Sequence, residues 1–132
     1  MTHAQNRSGI VPAILAGVAG IFGLATLVAA SGVLFGPDAA RARAGDIVPF
    51  VVWFNLFAGV AYLVAAAGLW LARRWAVPLA WAITAATAAV AVAFGWQVWQ
   101  GVAFEPRTVG ALALRTLVWL VISAIASVRA RQ

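Results

Sequence analysis

Hydrophobic residues along the chain fall into four long blocks separated by short polar segments. The blocks run over residues 10–35, 47–72, 75–100 and 106–128. Each block is longer than the roughly 20 residues that a helix needs to cross a hydrocarbon core of about 30 Å. The pattern therefore predicts four transmembrane α-helices.

The polar segments between the blocks are short, which limits how the helices are arranged. The longest, GPDAARARAGD, covers residues 36–46, and we expect it to be a solvated loop. Short connections make neighbouring helices antiparallel, so we expect one compact four-helix bundle over residues 1–132. The first block exceeds the 7–15 apolar residues of a cleavable signal peptide, so we interpret it as a retained helix.

Composition supports an integral membrane protein, because 65% of the residues are hydrophobic and only 9% are charged. Soluble domains carry about 25% charged residues. The net charge of +6 does not indicate nucleic-acid binding, because the arginines are scattered and form no basic face. The chain has no cysteine, and its single histidine, His3, lies in the N-terminal tail. We therefore expect no metal site and no cofactor.

The arginines outside the apolar blocks predict the topology. Five lie on the side of the two termini: Arg7, Arg73, Arg74, Arg129 and Arg131. Three lie on the other side, together with all three acidic residues: Arg41, Arg43 and Arg107, with Asp38, Asp46 and Glu105. The richer side is expected to be cytoplasmic. This predicts a multi-pass protein of a bacterial inner membrane, with both termini in the cytoplasm.

One arginine, Arg115, lies inside the fourth block, and it is the most unusual feature of the sequence. It follows the start of that block by nine residues, or roughly 13 Å at 1.5 Å per residue. An arginine at the centre of a membrane costs about 2.5–3.5 kcal/mol. Its side chain is expected to tilt toward the outer surface, which lowers this cost.

Several polar residues fall at a similar depth in the outer leaflet: Asn55, Gln97, Gln100 and Glu105. Helical spacing places Asn55 and Tyr62 on one face of the second helix, and Arg115 and Trp119 on one face of the fourth. We predict that Arg115 forms a polar network with Asn55, Gln97 and Glu105.

Three tryptophans share this layer: Trp53, Trp96 and Trp99. They line a binding site in one interpretation and form an ordinary aromatic belt at the membrane surface in another. Arg115 itself has three interpretations. It is a structural contact between helices, a lipid-facing residue that reaches phosphates, or part of a cavity that binds an anionic or carbonyl-bearing headgroup.

Small residues recur at four-residue spacing in two of the predicted helices. Ala16 and Gly20, with Ala19 and Gly23, form such faces in the first helix. Ala76, Ala80 and Thr84 form another in the third. These faces let helix backbones approach closely, either within the bundle or between copies of the chain.

The sequence favours a non-enzymatic membrane protein, because it has no nucleophile–base pair and no catalytic motif. Its outer-leaflet site would bind a lipid-like or quinone-like molecule, or dock to a larger membrane complex. The partners expected are therefore membrane lipids, such a ligand, and a homo-oligomer or larger complex. An oligomeric transporter or channel is the main alternative, although no acidic residue lies deep in a span. An enzyme that uses Glu105 as an acid or base is a third.

Overall fold

The computed structural model describes residues 2–131 and the side chains from Gly9 to Arg131. The side chains of His3 and Arg7 therefore lie outside the described residues. Within the described part the chain is all α-helical. Its five helices are α1 (Thr2–Phe35), α2 (Asp38–Ala44), α3 (Pro49–Trp70), α4 (Ala76–Trp99) and α5 (Pro106–Ala130). The predicted all-α fold is confirmed.

Four of these helices are long and apolar enough to cross a membrane: Gly9–Phe35, Pro49–Trp70, Ala76–Trp99 and Pro106–Ala130. Only 28–33% of the most apolar part of each helix is buried inside the protein. Large side chains such as Ile21, Val28 and Val92 are more than two-thirds exposed. A soluble protein rarely exposes so much contiguous apolar surface. These faces are suited to lipid, as the hydropathy pattern predicted.

Proline and backbone conformation explain where the helices begin and end. Pro49 and Pro106 occupy the first turns of α3 and α5, where a missing N–H is tolerated. The helix α3 is followed by Ala72, whose φ of 54° is left-handed, and the Arg73 N–H donates to Gly68 O at 2.8 Å. The helix α4 ends before Gly101, where φ is 90°.

The segment between the first two spans is not the simple loop that we predicted. Residues Asp38–Ala44 form the short helix α2, preceded by Pro37 and followed by Gly45 with φ of 76°. Alanine and arginine are strong helix formers, and an acidic residue in the first turn suits the helix dipole. Arg41 also donates from Nε to Val33 O at 3.2 Å, which holds α2 against the end of α1.

The spans pack as two helix pairs, α1 with α3 and α4 with α5, and α3 also contacts α4. In the first pair, Gly23 and Gly59 allow close contact. A Cβ atom built at Gly23 would lie 3.1 Å from Gly59 O, and one at Gly59 would lie 3.2 Å from Gly23 O. The predicted tight packing at Gly23 is therefore realised inside the bundle.

Hydroxyl groups and an indole link the second pair. Thr84 Oγ1 and Ser123 Oγ share a buried hydrogen bond of 3.0 Å, and Trp81 Nε1 donates to Ser127 Oγ at 2.7 Å. Thr84 and Thr87 also donate to the carbonyls four residues earlier in α4, at 2.9 and 2.7 Å. Polar contacts of this kind bind helices together inside an apolar environment.

Large rings fill the middle of the space between the two pairs. The backbones of α3 and α5 stay apart. Tyr62 and Trp119 are both fully buried there, with ring centroids 4.8 Å apart. A cavity lies on each side of these rings. We call the side that carries α2 the α2 end, and the side that carries the α3–α4 turn the Arg73 end.

Candidate functional site

The cavity at the α2 end has a volume of about 230 Å³ and lies between α1, α3 and the first half of α5. Its walls are mostly small or apolar, with Ala30 and Val33 from α1, Val52 from α3 and Leu112 from α5. Its polar lining consists of six residues: Thr26, Asn55, Glu105, Arg107, Thr108 and Arg115. An apolar enclosure with a few convergent polar groups is the usual form of a small-molecule site.

Arg115 projects into this cavity from the third turn of α5 and is half-buried. Within the described part of the chain its guanidinium makes no hydrogen bond and no ion pair. Tyr62, one of the central rings, is an electrostatic neighbour of this guanidinium. The five N–H donors of the guanidinium therefore face the cavity without a protein acceptor.

Asn55 lines the same cavity from α3, and its Oδ1 atom is buried without a hydrogen-bond partner. Two further buried polar atoms in the described residues have no partner: Tyr62 OH and Trp119 Nε1. Tyr62 has Thr87 and Arg115 as polar neighbours, but no contact has hydrogen-bond geometry. Native proteins rarely leave buried polar groups unpaired, so three around one arginine mark this region as unusual.

Helical spacing explains why these residues meet. Asn55 and Tyr62 are seven residues apart in α3, and Arg115 and Trp119 are four apart in α5, so each pair occupies one helix face. The two faces point toward each other, with Asn55 and Arg115 at the cavity and the two rings beyond it. Both predicted helix faces are buried between the helix pairs.

Glu105 also lines the cavity, but its carboxylate contacts the loop before α3. Glu105 Oε1 accepts from the Asp46 N–H at 3.2 Å and packs directly against Gly45. Beside it, Arg107 Nη2 donates to Arg43 O at 3.1 Å. These two contacts tie the start of α5 to the end of α2 and to the loop that follows it.

The other predicted site residues lie away from the cavity. Gln97 is half-buried and Gln100 is exposed at the end of α4, and neither lines the cavity. The reason is the packing, because α4 lies against α5 and contributes no residue to the cavity wall. Depth alone could not reveal this arrangement.

The three predicted tryptophans are surface residues. Trp53, Trp96 and Trp99 are 44%, 62% and 84% exposed. Trp53 packs edge-on against Phe35 of α1, with ring centroids 6.0 Å apart. This exposure fits the aromatic-belt interpretation and leaves Trp119 as the buried tryptophan beside Arg115.

Sequence reasoning missed two threonines and one arginine of the cavity: Thr26, Thr108 and Arg107. Thr26 is buried in α1, a helix with no charged residue between Gly9 and Phe35 to draw attention to it. Threonine is common in membrane helices because it bonds to its own backbone. The sequence thus offered no signal for Thr26.

The cavity combines two arginines with one carboxylate, and that carboxylate already accepts a backbone hydrogen bond. In the described part of the chain, the cavity groups that remain without a hydrogen-bond partner are the guanidinium of Arg115 and the side-chain amide oxygen of Asn55. Such a set binds an oxygen-rich polar group. Comparison with known proteins gives no match to any family model, curated protein or solved structure, so the function of this chain is argued from the cavity itself.

Proposed function

We propose that this chain is a small, non-enzymatic membrane protein whose α2-end cavity binds the polar head of a lipid-like or quinone-like molecule. The apolar tail of the ligand would leave the cavity between α1 and α5 and lie against lipid-facing side chains. Arg115 would bind an anionic or carbonyl oxygen of the head, and Asn55 would contribute its amide.

The observation that carries this proposal is the unpaired state of Arg115 and Asn55 at one shared cavity. A buried polar group without a partner costs about 1–3 kcal/mol. A bound oxygen acceptor would remove that cost at Arg115, and a hydroxyl or water held by the ligand would remove it at Asn55 Oδ1. Binding is therefore favoured by groups that the fold leaves unsatisfied.

The size of the cavity supports a headgroup rather than a whole ligand. Sites for complete drug-sized molecules span about 300–1,000 Å³, and this cavity holds about 230 Å³. Two of its lining residues, Glu105 and Arg107, are already hydrogen-bonded to the backbone of Asp46 and Arg43. A compact polar head fits such a space, while long alkyl or isoprenoid tails would not.

We propose further that the α2 end faces the outside of a bacterial inner membrane. The support is the arginine count, because the Arg73 end carries more arginines and no acidic side chain. The ligand would then enter from the outer leaflet.

Native mass spectrometry after gentle extraction from a bacterial membrane tests the proposal. The expected result is a chain or small homo-oligomer that carries a stoichiometric extra mass with the fragmentation of a lipid or quinone. Arg115→Met and Asn55→Leu should each lose that mass. Gln97→Leu and Arg131→Met are matched controls, because they remove the same groups away from the cavity, and they should retain it.

Other outcomes of this measurement distinguish the alternatives. Recovery within a large hetero-complex, unchanged by Asn55→Leu, would identify a docking protein of a membrane complex and contradict the ligand site. Retention of the extra mass by Arg115→Met would place the ligand elsewhere.

The paired cavities favour a second candidate function, transport. The cavities at the α2 end and at the Arg73 end both lie between the two helix pairs, and the Tyr62–Trp119 contact separates them. A transporter needs such a barrier between sites open to opposite sides of the membrane. Trp119→Ala in proteoliposomes would then increase leakage of small anions relative to Trp99→Ala, whose ring lies on the surface.

A further inference from the structure

The cavity at the Arg73 end is a second candidate binding site, about 310 Å³ in volume and separate from the first. It lies between the first turns of the α1 span, the end of α3, the start of α4 and the end of α5. Its charged lining consists of three arginines: Arg73, Arg74 and Arg129. The remaining lining is apolar or small, with residues such as Leu15, Leu69 and Val77.

No acidic side chain is available at this end of the protein. The three acidic residues of the whole sequence, Asp38, Asp46 and Glu105, all lie at the α2 end. The 22 residues of α3 separate the two ends by about 33 Å at 1.5 Å per residue. This is several Debye lengths at physiological salt, so those carboxylates cannot balance Arg73 and Arg74.

The backbone holds two of these arginines at the rim of the cavity. Ala72 adopts the left-handed φ of 54°, which a residue with a side chain rarely takes, and Arg73 and Arg74 follow it in the turn. This is a common way for a helix to end, and it places Arg73 and Arg74 directly after α3. Both arginines are exposed, and within the described residues neither side chain has a hydrogen bond or an ion pair.

The surroundings of the cavity indicate an amphiphilic occupant. Large apolar side chains around it are exposed: Ile10, Ile14, Leu71 and Val128. Trp70 and Trp75 are also largely exposed at this end, as expected of residues at the level of lipid headgroups. A soluble anion would satisfy the arginines but would leave the apolar walls uncovered, whereas a phospholipid would cover both.

We propose that this cavity binds an anionic phospholipid, with its phosphate among Arg73, Arg74 and Arg129 and its acyl chains along α1 and α5. Basic pockets between transmembrane helices recognise lipids in this way. A lipid with a cationic amine in its head would bring that amine against the arginines, so zwitterionic lipids should bind weakly. This inference is independent of the ligand proposed for the α2-end cavity.

The test measures lipid binding to the delipidated full-length protein in detergent by native mass spectrometry. The unaltered protein should retain one phosphatidylglycerol per chain and should bind phosphatidylcholine much more weakly. Arg73→Gln with Arg74→Gln should weaken phosphatidylglycerol binding by about 30-fold, which corresponds to about 2 kcal/mol for two arginines. Arg41→Gln with Arg43→Gln is the charge-matched control at the α2 end and should change binding little.

Three results would overturn the inference. Equal retention of phosphatidylcholine by the unaltered protein would show that headgroup charge is not recognised, and this result does not depend on any variant. If both double variants lost phosphatidylglycerol binding to the same extent, the binding would depend on the net charge of the protein and not on this cavity. Displacement of the lipid by millimolar inorganic phosphate would make the site one for a free anion.

Each of the two proposals can be contradicted without affecting the other. Arg115→Met removes the cation of the α2-end cavity and leaves the Arg73 end unchanged, so it should not alter phosphatidylglycerol binding at the Arg73 end. The Arg73 and Arg74 double variant should leave the mass bound in the α2-end cavity unchanged.

Discussion

At the scale of single residues, Arg115 and its neighbours are polar groups that the fold buries without giving them hydrogen-bond partners. Three buried polar atoms near Arg115 lack hydrogen bonds, while the hydroxyls of Thr84 and Ser123, where α4 meets α5, are paired. The same bundle therefore satisfies its polar groups where they connect helices and leaves them open at the cavity. This contrast supports a binding role for Arg115 over a role as a structural contact.

Replacement of Arg115 by methionine tests this interpretation through stability. We expect Arg115→Met to leave the free energy of unfolding of the ligand-free protein unchanged or to raise it by about 1 kcal/mol, because the substitution removes an unpaired, half-buried charge. Thermal unfolding in detergent, followed by tryptophan fluorescence, gives the measurement. Leu114→Met, at an exposed site in the same helix, is the control.

A large loss of stability would support the opposite role. Removing one partner of a buried ion pair or hydrogen-bonded charge costs about 3–5 kcal/mol. A loss of that size in Arg115→Met would mean that the guanidinium is a structural contact between helices.

At the scale of helices, the two pairs are held together by different means. The α1–α3 pair depends on backbone approach at Gly23 and Gly59. The α4–α5 pair depends on side-chain hydrogen bonds from Thr84 and Trp81. Between the pairs, α3 and α5 lie on either side of two large rings, Tyr62 and Trp119. Cavities lie there because no small-residue face joins α5 to α3.

Alanine at Gly59 should disrupt the closer pair. Its Cβ would lie 2.7 Å from Leu27 Cγ and 3.2 Å from Gly23 O, so the backbones would have to separate. We expect Gly59→Ala to lower the free energy of unfolding by about 1–3 kcal/mol, the usual cost of overpacking. Unfolding in mixed micelles with increasing sodium dodecyl sulfate measures this change.

Gly17 provides the matched control for that substitution. A Cβ at Gly17 would meet no atom within 4 Å, and the residue is exposed on the same helix as Gly23. Gly17→Ala should therefore be neutral or stabilise the protein by up to about 1 kcal/mol. Equal effects of the two substitutions would show that close backbone approach does not hold α1 against α3.

At the scale of the whole molecule, charge is distributed between the two ends. All acidic side chains and α2 lie at one end, while the charged side chains of the other end are all arginines. The distribution favours one orientation in the membrane and places a basic cavity at the expected cytoplasmic side. The lipid proposed there would neutralise the charges of Arg73 and Arg74.

The absence of cysteine makes the orientation directly measurable. Ala39→Cys lies in exposed α2 and Ala130→Cys at the exposed end of α5. In intact spheroplasts we expect a membrane-impermeant maleimide to label Ala39→Cys and not Ala130→Cys, with both labelled after lysis. The reverse pattern would invert the proposed topology and would place the Arg115 cavity on the cytoplasmic side.

By itself the sequence determined the class of the protein and most of the places where its long helices begin and end. The predicted spans of α3, α4 and α5 differ from the observed helices by no more than two residues at any end, and that of α1 ends at the observed residue, because hydropathy over about 20 residues and proline in a first turn are local properties. The helix α1 itself begins at Thr2, eight residues before the predicted start of its span. It also placed Asn55 with Tyr62, and Arg115 with Trp119, on one helix face each, since helical periodicity relates residues within one helix. The short helix α2 escaped prediction because charged residues near prolines and glycines suggested a loop.

Only the tertiary structure decided which of these faces meet. The sequence assigned Gln97 to the polar layer by its depth in the membrane. Depth does not specify how a helix is rotated or which helices it packs against. Packing turned α4 toward α5, brought Thr26 of α1 to the cavity and bound Glu105 to Asp46. The two cavities exist because the helix pairs are separated by the Tyr62 and Trp119 rings, which is a property of contacts between distant parts of the chain.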